Sequence, residues 1–139
     1  MTSTATSTLL LDLRTAGRRY FAPRSHIDLL GPAPLPGARD ARGRPLLVRD
    51  LGPLLDPLDH TVPGRRQALT VTLRRRSVAL LVQRVESLAA HTGIQPLAPL
   101  LARRLRAPWV LGAVAVDDGP VLILDLRRIA TDLALGATV

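Results

Sequence analysis

Acidic, histidine and serine side chains are the groups of this chain that could do chemistry, and their spacing decides which chemistry is open to them. Asp50 and Asp125 each follow an apolar segment and could act as a general acid and base. An aspartate that follows a strand is also a typical helix N-cap, and we favour this interpretation for both residues. Asp117 and Asp118 precede Gly119 as in a hairpin turn, which needs no metal ion.

The histidines and serines form no recognisable catalytic or metal-binding pattern. His26, His60 and His91 are far apart in sequence and lack the spacing of metal ligands. Neither Ser77 nor Ser87 lies in a Gly-x-Ser-x-Gly motif, and the chain has no cysteine for a thiolate nucleophile, a disulfide or a metal site. The glycines match neither a phosphate-binding loop nor a dinucleotide fingerprint. We therefore expect no enzymatic activity, no cofactor and no bound metal.

Arginine is the remaining candidate functional residue, because it supplies all of the formal positive charge. The 139 residues carry a net charge of +8, with 19 arginines and no lysine. The arginines cluster at Arg18-Arg19, Arg65-Arg66, Arg74-Arg75-Arg76, Arg103-Arg104-Arg106 and Arg127-Arg128. Such clusters suit nucleic acid, an acidic protein partner or a solvated surface. Single-strand binders add aromatic stacking platforms, and the few aromatic residues here (Tyr20, Phe21 and Trp109) favour the other two interpretations.

Short strands and turns, rather than long helices, must position these residues. Alternating apolar residues punctuated by Pro and Gly predict three β-hairpins. They pair Leu9–Arg14 with Arg19–Ala22, Leu69–Leu73 with Val78–Val82, and Trp109–Val116 with Val121–Leu124. The last two strands are apolar on both faces, so we expect them to be central and buried.

Helix is predicted at two places. Apolar residues at helical spacing after Asp125, ending at Gly136, predict a C-terminal helix. A second helix is predicted within Leu97–Arg106, starting near Pro99. The Pro/Gly-rich stretch Leu30–Ala38 is predicted to be a loop.

The chain has the organisation of a single domain. We expect residues 1–8 to be a disordered lead, residues 9–135 to form one domain of two β subdomains, and residues 136–139 to be a tail. No apolar run approaches the ~20 residues needed to span a bilayer, and no secretory signal is recognisable. These features predict a cytoplasmic protein.

A weak internal repeat suggests that the two subdomains are related. The segment Pro45–Leu51 parallels Pro120–Leu126, 75 residues later. In both copies a Pro opens an apolar strand and an Asp precedes a short helical turn. The high leucine content makes chance matches easy, so the repeat alone does not decide between duplication and coincidence.

Five stretches, in a fixed order along the chain, carry a resemblance to a known family. They are Gly17–Pro23, Arg42–Leu51, Val78–Val85, Ile94–Leu97 and Trp109–Leu126. Together they resemble the CheW-like domain, an adaptor module of bacterial chemosensory arrays. The resemblance implies a mainly β fold of two intertwined SH3-like β-barrel subdomains with a short C-terminal helix, in agreement with the strand-rich pattern.

The resemblance also implies a non-enzymatic connector. One surface of such a domain binds a CheA-type histidine kinase, another binds the cytoplasmic tip of a chemoreceptor, and other CheW-like proteins are further candidate partners. It implies partner-binding roles for Arg42, Gly43, Val48, Val82 and Val85, although for the three valines we favour a position in the barrel core. A basic β-barrel that binds nucleic acid is the alternative function.

The chain departs from the family pattern just before its Arg-Gly motif. The family has an apolar strand there, whereas this chain has Pro36–Ala41, which is rich in Gly, Ala and charged residues. The usual Asp before the later Val-x-x-Val segment is Gln83. We therefore expect the first barrel to be trimmed, with a larger effect on the receptor groove than on the fold.

Overall fold

The computed structural model of the chain describes residues 8–60, 64, 66–91, 94, 109–117 and 119–136. Strands dominate these residues. In chain order the elements are β1 (Thr8–Arg14), β2 (Arg19–Pro23), a turn of 3-10 helix (Arg24–His26), β3 (Leu29–Pro32), β4 (Leu46–Asp50), α1 (Leu51–Leu55), β5 (Gln67–Thr72), β6 (Ser77–Val82), β7 (Arg84–His91), β8 (Val110–Val116), β9 (Gly119–Leu124) and α2 (Leu126–Gly136).

The strands form two sheets that are built to one plan. The orders are β7-β1-β2-β9-β8 in the five-stranded sheet and β3-β5-β6-β4 in the four-stranded sheet. Each contains an antiparallel hairpin, β1–β2 or β5–β6, flanked on one side by an antiparallel strand, β7 or β3. On the other side lies a parallel strand, β9 or β4, which leads directly into a helix. The expected mainly β fold with two subdomains and a short C-terminal helix is confirmed.

The two halves of the chain exchange their strands. The first half contributes the β1–β2 hairpin to the five-stranded sheet, then supplies β3 and β4 to the other sheet. The second half contributes β5–β6 to the four-stranded sheet, then supplies β7, β8 and β9 to the first. The repeated segments therefore occupy equivalent positions, because β4–α1 and β9–α2 are the parallel strand and following helix of their respective sheets.

Three apolar clusters hold the sheets together. The largest joins both sheets to α2, and its members include Leu11, Leu13, Leu69, Leu80, Leu124 and Ile129. A second lies within the five-stranded sheet and contains Leu10, Phe21, Val114, Val121 and Ile123. A third, built on Ala68, Ala79 and Leu81, lies within the four-stranded sheet. Each fully buried large side chain contributes about 1.5–3 kcal/mol to stability, so the first two clusters dominate.

The three predicted hairpins are present, and two details of the sequence prediction are wrong. Residues Leu30–Pro32, predicted as loop, belong to β3, where Leu30 pairs with Leu69 and Pro32 with Gln67. This strand lies at a sheet edge, and an edge tolerates proline because one side of its backbone needs no partner. The strand β8 is also an edge strand rather than a central one, with Leu111 47% exposed.

Among the described residues, the four-stranded sheet has no full strand at the position that β8 takes in the five-stranded sheet. The described residues show only an isolated antiparallel bridge there, between Arg39 and Pro45. The sheet therefore ends at β4 in the part of the chain that the structure describes.

Several predicted features fall outside the described residues. These are the helix within Leu97–Arg106, the turn residue Asp118, the terminal residues 137–139 and the N-terminal lead apart from Thr8, which begins β1. None of the described helices has the length and apolar character needed to cross a membrane.

Candidate partner-binding site

The Arg-Gly motif forms a tight turn just before β4, and one carboxylate organises it. The Asp40 side chain accepts hydrogen bonds from the backbone amides of Arg42 and Arg44, both at 2.9 Å, and from the Arg44 Nε at 2.8 Å. The Gly43 amide donates to the Asp40 carbonyl at 2.9 Å. Gly43 has a φ of +77°, which a residue with a Cβ adopts only with strain, so the motif needs its glycine.

A buried serine anchors this turn to the four-stranded sheet. Ser77, fully buried at the start of β6, donates its hydroxyl proton to the Asp40 Oδ2 at 2.9 Å. Ser77 thus has a structural hydrogen bond, and nothing about it suggests a nucleophile. The Asp40 side chain is only 6% exposed. Burial raises the pKa of Asp40, but the hydrogen bonds from Arg44, Ser77 and Arg42 outweigh it and lower the pKa to about 2.

The guanidinium of Arg42 is left available by this arrangement. Arg42 is exposed, and among the described residues its side chain makes no hydrogen bond or ion pair. Arg44, in contrast, is used for structure: it donates to the carbonyls of Leu73 at 3.3 Å and Arg74 at 2.8 Å. The turn is therefore tied to the β5–β6 turn, with Arg42 displayed beside it.

An apolar groove borders the same β5–β6 turn. It has a volume of about 550 Å³ and lies between this turn and the C-terminal part of α2. Its lining residues are Leu73, Arg74, Arg75, Arg76, Thr131, Ala134 and Leu135. Because β5 and β6 belong to one sheet and α2 follows the last strand of the other, the groove lies where elements of the two subdomains meet.

The predicted valines are not all at one surface. Val48, on β4, is half-buried against the cluster of Ala68, Ala79 and Leu81. Val82 is 2% exposed and belongs to the cluster shared by both sheets. Val85 is half-buried and packs against that same shared cluster. The structure thus places Val48 on the strand that follows the Arg-Gly turn and Val82 in the core.

The two aspartates predicted as helix caps behave differently. Asp125 accepts a hydrogen bond from the Arg128 amide at 3.1 Å, which confirms its N-cap role on α2. Asp50 occupies the N-cap position of α1 without a side-chain cap bond, because its carboxylate instead pairs with Arg66. The predicted N-cap position of Asp50 is therefore confirmed, but its side chain makes no capping hydrogen bond.

His26 lies close to one of these aspartates. Its Nδ1 is 3.7 Å from the Asp125 Oδ1. Burial lowers the pKa of His26, and the nearby Asp125 only partly opposes this effect. No group of three His, Asp or Glu side chains in the described part of the chain is placed to hold a metal ion.

A second buried carboxylate escaped the sequence analysis. Asp59, 8% exposed, accepts a hydrogen bond from the Thr15 hydroxyl at 2.5 Å and one from the Gly17 amide at 3.1 Å. A Cβ on Gly52 would lie 3.0 Å from the Asp59 Oδ2 and 3.2 Å from the Thr15 Cβ, so a larger residue here would have to displace one of these side chains slightly. The contacts fix the β1–β2 turn against the segment after α1. The sequence around Asp59 contains no pattern that predicts these hydrogen-bond partners, because they lie more than forty residues away in sequence.

All three aromatic side chains are buried, and this weighs against a nucleic-acid surface. Tyr20, Phe21 and Trp109 are 7%, 2% and 7% exposed, so no aromatic face is offered to a base. The Trp109 Nε1 donates to Asp132 at 2.8 Å. Burial, with help from Asp56 and Asp59 and against Arg18, raises the pKa of Tyr20 to about 12.

The fold and these sites define a β protein of two sheets, between which the two halves of the chain exchange strands, and comparisons with known proteins agree. The family model of the CheW-like domain matches residues 23–134, so the chain belongs to the CheW-like domain family. The solved structure of the scaffolding protein TtCheW from Thermoanaerobacter tengcongensis is similar, with a TM-score of 0.68 and 15% identity over 91% of this chain and 90% of that chain. This likeness shows the fold. A comparison with curated proteins finds no match. Nothing in these comparisons supports the nucleic-acid alternative.

Proposed function

We propose that this chain is a non-enzymatic signalling adaptor that couples a CheA-type histidine kinase to a chemoreceptor or to another CheW-like scaffold. Membership of the CheW-like family supports an adaptor. The observation that carries the proposal is the exposed Arg42 on a turn that Asp40 fixes and that Arg44 ties to the rim of an apolar groove at the subdomain junction.

The chemistry of this surface suits a protein partner. A free guanidinium binds a carboxylate through two parallel hydrogen bonds, and the buried Asp40 holds its backbone in place before the partner arrives. Such preorganisation reduces the ordering cost of binding. The groove adds apolar surface from Leu73 and Ala134, with exposed Arg74 and Arg75 at its rim.

The proposal is tested by titration with the regulatory domain of a CheA-type kinase and with a chemoreceptor tip from the same organism. We expect micromolar or tighter binding to at least one of them, and a loss of about tenfold or more for Arg42→Glu because the charge pairing is reversed. Arg84→Glu is the matched control, since Arg84 is an exposed arginine on β7 of the other sheet.

Two results would overturn the adaptor proposal. One is no binding to either protein at micromolar concentration, and the other is an equal loss of affinity in the Arg42→Glu and Arg84→Glu variants. Retention of the wild-type chain on single-stranded DNA or RNA, released as salt rises, would instead favour the nucleic-acid alternative.

A further inference from the structure

The outer edge of β4 is a strand position with no full partner among the described residues. In the five-stranded sheet, β9 lies between β2 and β8. The equivalent strand β4 has β6 on one side, while its other side meets only the bridge between Arg39 and Pro45. The sheets otherwise share their plan, so β8 shows what the empty position would hold.

The backbone of β4 presents hydrogen-bonding groups on this edge. The Leu46 amide donates to the Ala38 carbonyl at 3.3 Å, which places the Leu46 backbone on the outer side. Backbone groups alternate along a strand, so the amide and carbonyl of Val48 and the amide of Asp50 also face outward. The Arg49 Nη1 donates to the Val48 carbonyl at 2.9 Å, as expected of a carbonyl that has no strand beside it.

The apolar interior next to this edge is incompletely covered. Ala33, Leu46 and Val48 pack on the third cluster and remain partly exposed. In the five-stranded sheet, β8 contributes Val114 and Val116 to the equivalent cluster. A strand beside β4 would supply the corresponding side chains to the four-stranded sheet.

The charges around the edge define what such a strand should carry. Arg39, Arg42 and Arg49 are exposed, and none of them has a carboxylate partner among the described residues. An added segment with acidic residues on its outward face would pair with these arginines.

We propose that β4 accepts an extended, antiparallel segment of a protein partner, in which small apolar residues alternate with acidic ones, so that the partner completes the trimmed barrel. The antiparallel direction follows from the β8–β9 pair. This is recognition by strand addition, in which the main chain gives affinity and alternate side chains give specificity. It rests on the proposed adaptor role and names the kind of partner segment that the adaptor would bind.

The test uses a labelled peptide with the sequence of β8, in which the outward positions Leu111, Ala113 and Ala115 are replaced by Glu: Val-Glu-Gly-Glu-Val-Glu-Val. We expect saturable binding by fluorescence anisotropy, with amide shifts at Val48 and Asp50 in NMR spectra. A control peptide of the same composition without alternation, Val-Val-Val-Gly-Glu-Glu-Glu, should bind at least tenfold more weakly.

Two variants locate the binding to β4. Val48→Pro removes an outward amide and leaves the bonds to β6, so it should abolish peptide binding. If that variant does not fold, Arg49→Glu serves instead, because it reverses the charge at the edge and should weaken binding at least tenfold. Arg84→Glu, which makes the same charge change on β7 of the other sheet, is the matched control and should bind the peptide within twofold of wild type.

The outcomes separate this inference from the adaptor proposal. Equal binding of both peptides, or binding that neither Val48→Pro nor Arg49→Glu weakens, would overturn strand addition. Kinase or receptor binding, measured in parallel, tests the adaptor proposal independently of this result. Sedimentation of the chain alone provides the last check. A dimer that Val48→Pro dissociates would show that a second copy, rather than a different partner, occupies the edge, and this would also overturn the inference.

Discussion

The five-stranded and four-stranded sheets follow one plan but are completed in different ways. In the five-stranded sheet, β8 closes the edge beside β9, and the enclosed cluster contains large side chains such as Leu10, Phe21 and Ile123. In the four-stranded sheet that strand is reduced to a single bridge, and the cluster is built on Ala68, Ala79 and Leu81. Small residues reduce the apolar surface that a missing strand leaves uncovered. The comparison indicates that the sequence of the third cluster is adapted to the shorter sheet.

Hydrogen bonds and ion pairs hold the chain before β4, where none of the described strands takes the place of β8. The segment before β4 is held by the buried Asp40, which bonds to the backbone of the turn, to Arg44 and to Ser77. A strand would have displayed its side chains at fixed alternating positions, whereas this turn displays one exposed arginine, Arg42. The same departure from symmetry thus creates both the candidate binding residue and an edge of β4 that no described strand covers.

The largest expected effect is on the free energy of unfolding, and it distinguishes the cluster of the five-stranded sheet from that of the four-stranded sheet. Leu10→Ala should lower the free energy of unfolding by about 4 kcal/mol, because Leu10 is 1% exposed in a cluster of large side chains that cannot relax. Leu81→Ala should cost about 2 kcal/mol, at the low end for such changes, because its cluster is half-open and can rearrange. Urea denaturation of both variants measures the difference. Equal costs would show that the four-stranded cluster is as closed as the other.

Local patterns in the sequence were sufficient to predict the hairpins and the C-terminal helix. The alternation in Leu69–Leu73 and Val78–Val82 and the helical spacing after Asp125 are properties of neighbouring residues, and the structure follows them. The sequence repeat that begins at Pro45 and at Pro120 corresponds to a structural repeat, because the same strand-to-helix unit occupies the same position in each sheet.

The features that sequence analysis missed depend on residues distant in sequence. The strand β3 contains Gly31 and Pro32, and only its pairing with β5 makes it a strand. Likewise, the position of β8 at an edge depends on which strands are its neighbours, and hydrophobic periodicity does not report this. Asp40 gains its role from Ser77, 37 residues away, so the candidate site could be predicted only as far as the Arg-Gly motif itself.

The second expected effect concerns the acid stability of the polar end. The pKa of Asp40 is lowered to about 2, below the ~3.9 of an unfolded chain, so its ionised form stabilises the fold. That stability is fully present above about pH 4 and is lost as the pH falls through about 2. We expect Asp40→Asn to flatten the dependence of unfolding free energy on pH between these values.

The Asp40→Asn variant itself shows whether Asp40 carries this acid sensitivity. If its free energy of unfolding fell between about pH 4 and pH 2 as steeply as that of wild type, the acid sensitivity would arise elsewhere in the chain.

The smallest expected effect tests whether Asp40 depends on its buried serine. Ser77→Ala removes one hydrogen bond to the carboxylate, so it should lower the free energy of unfolding by about 1 kcal/mol. Losing this bond also raises the pKa of Asp40, and the acid-induced loss of stability should therefore begin at a higher pH than in wild type. Ser87→Ala is the control because Ser87 is exposed on β7, and its effect should stay within about 0.5 kcal/mol. If the two variants were equally stable and had the same acid profile, the turn that displays Arg42 would be held by Arg44 and the backbone alone. The buried Ser77 would then have no part in holding the turn before β4.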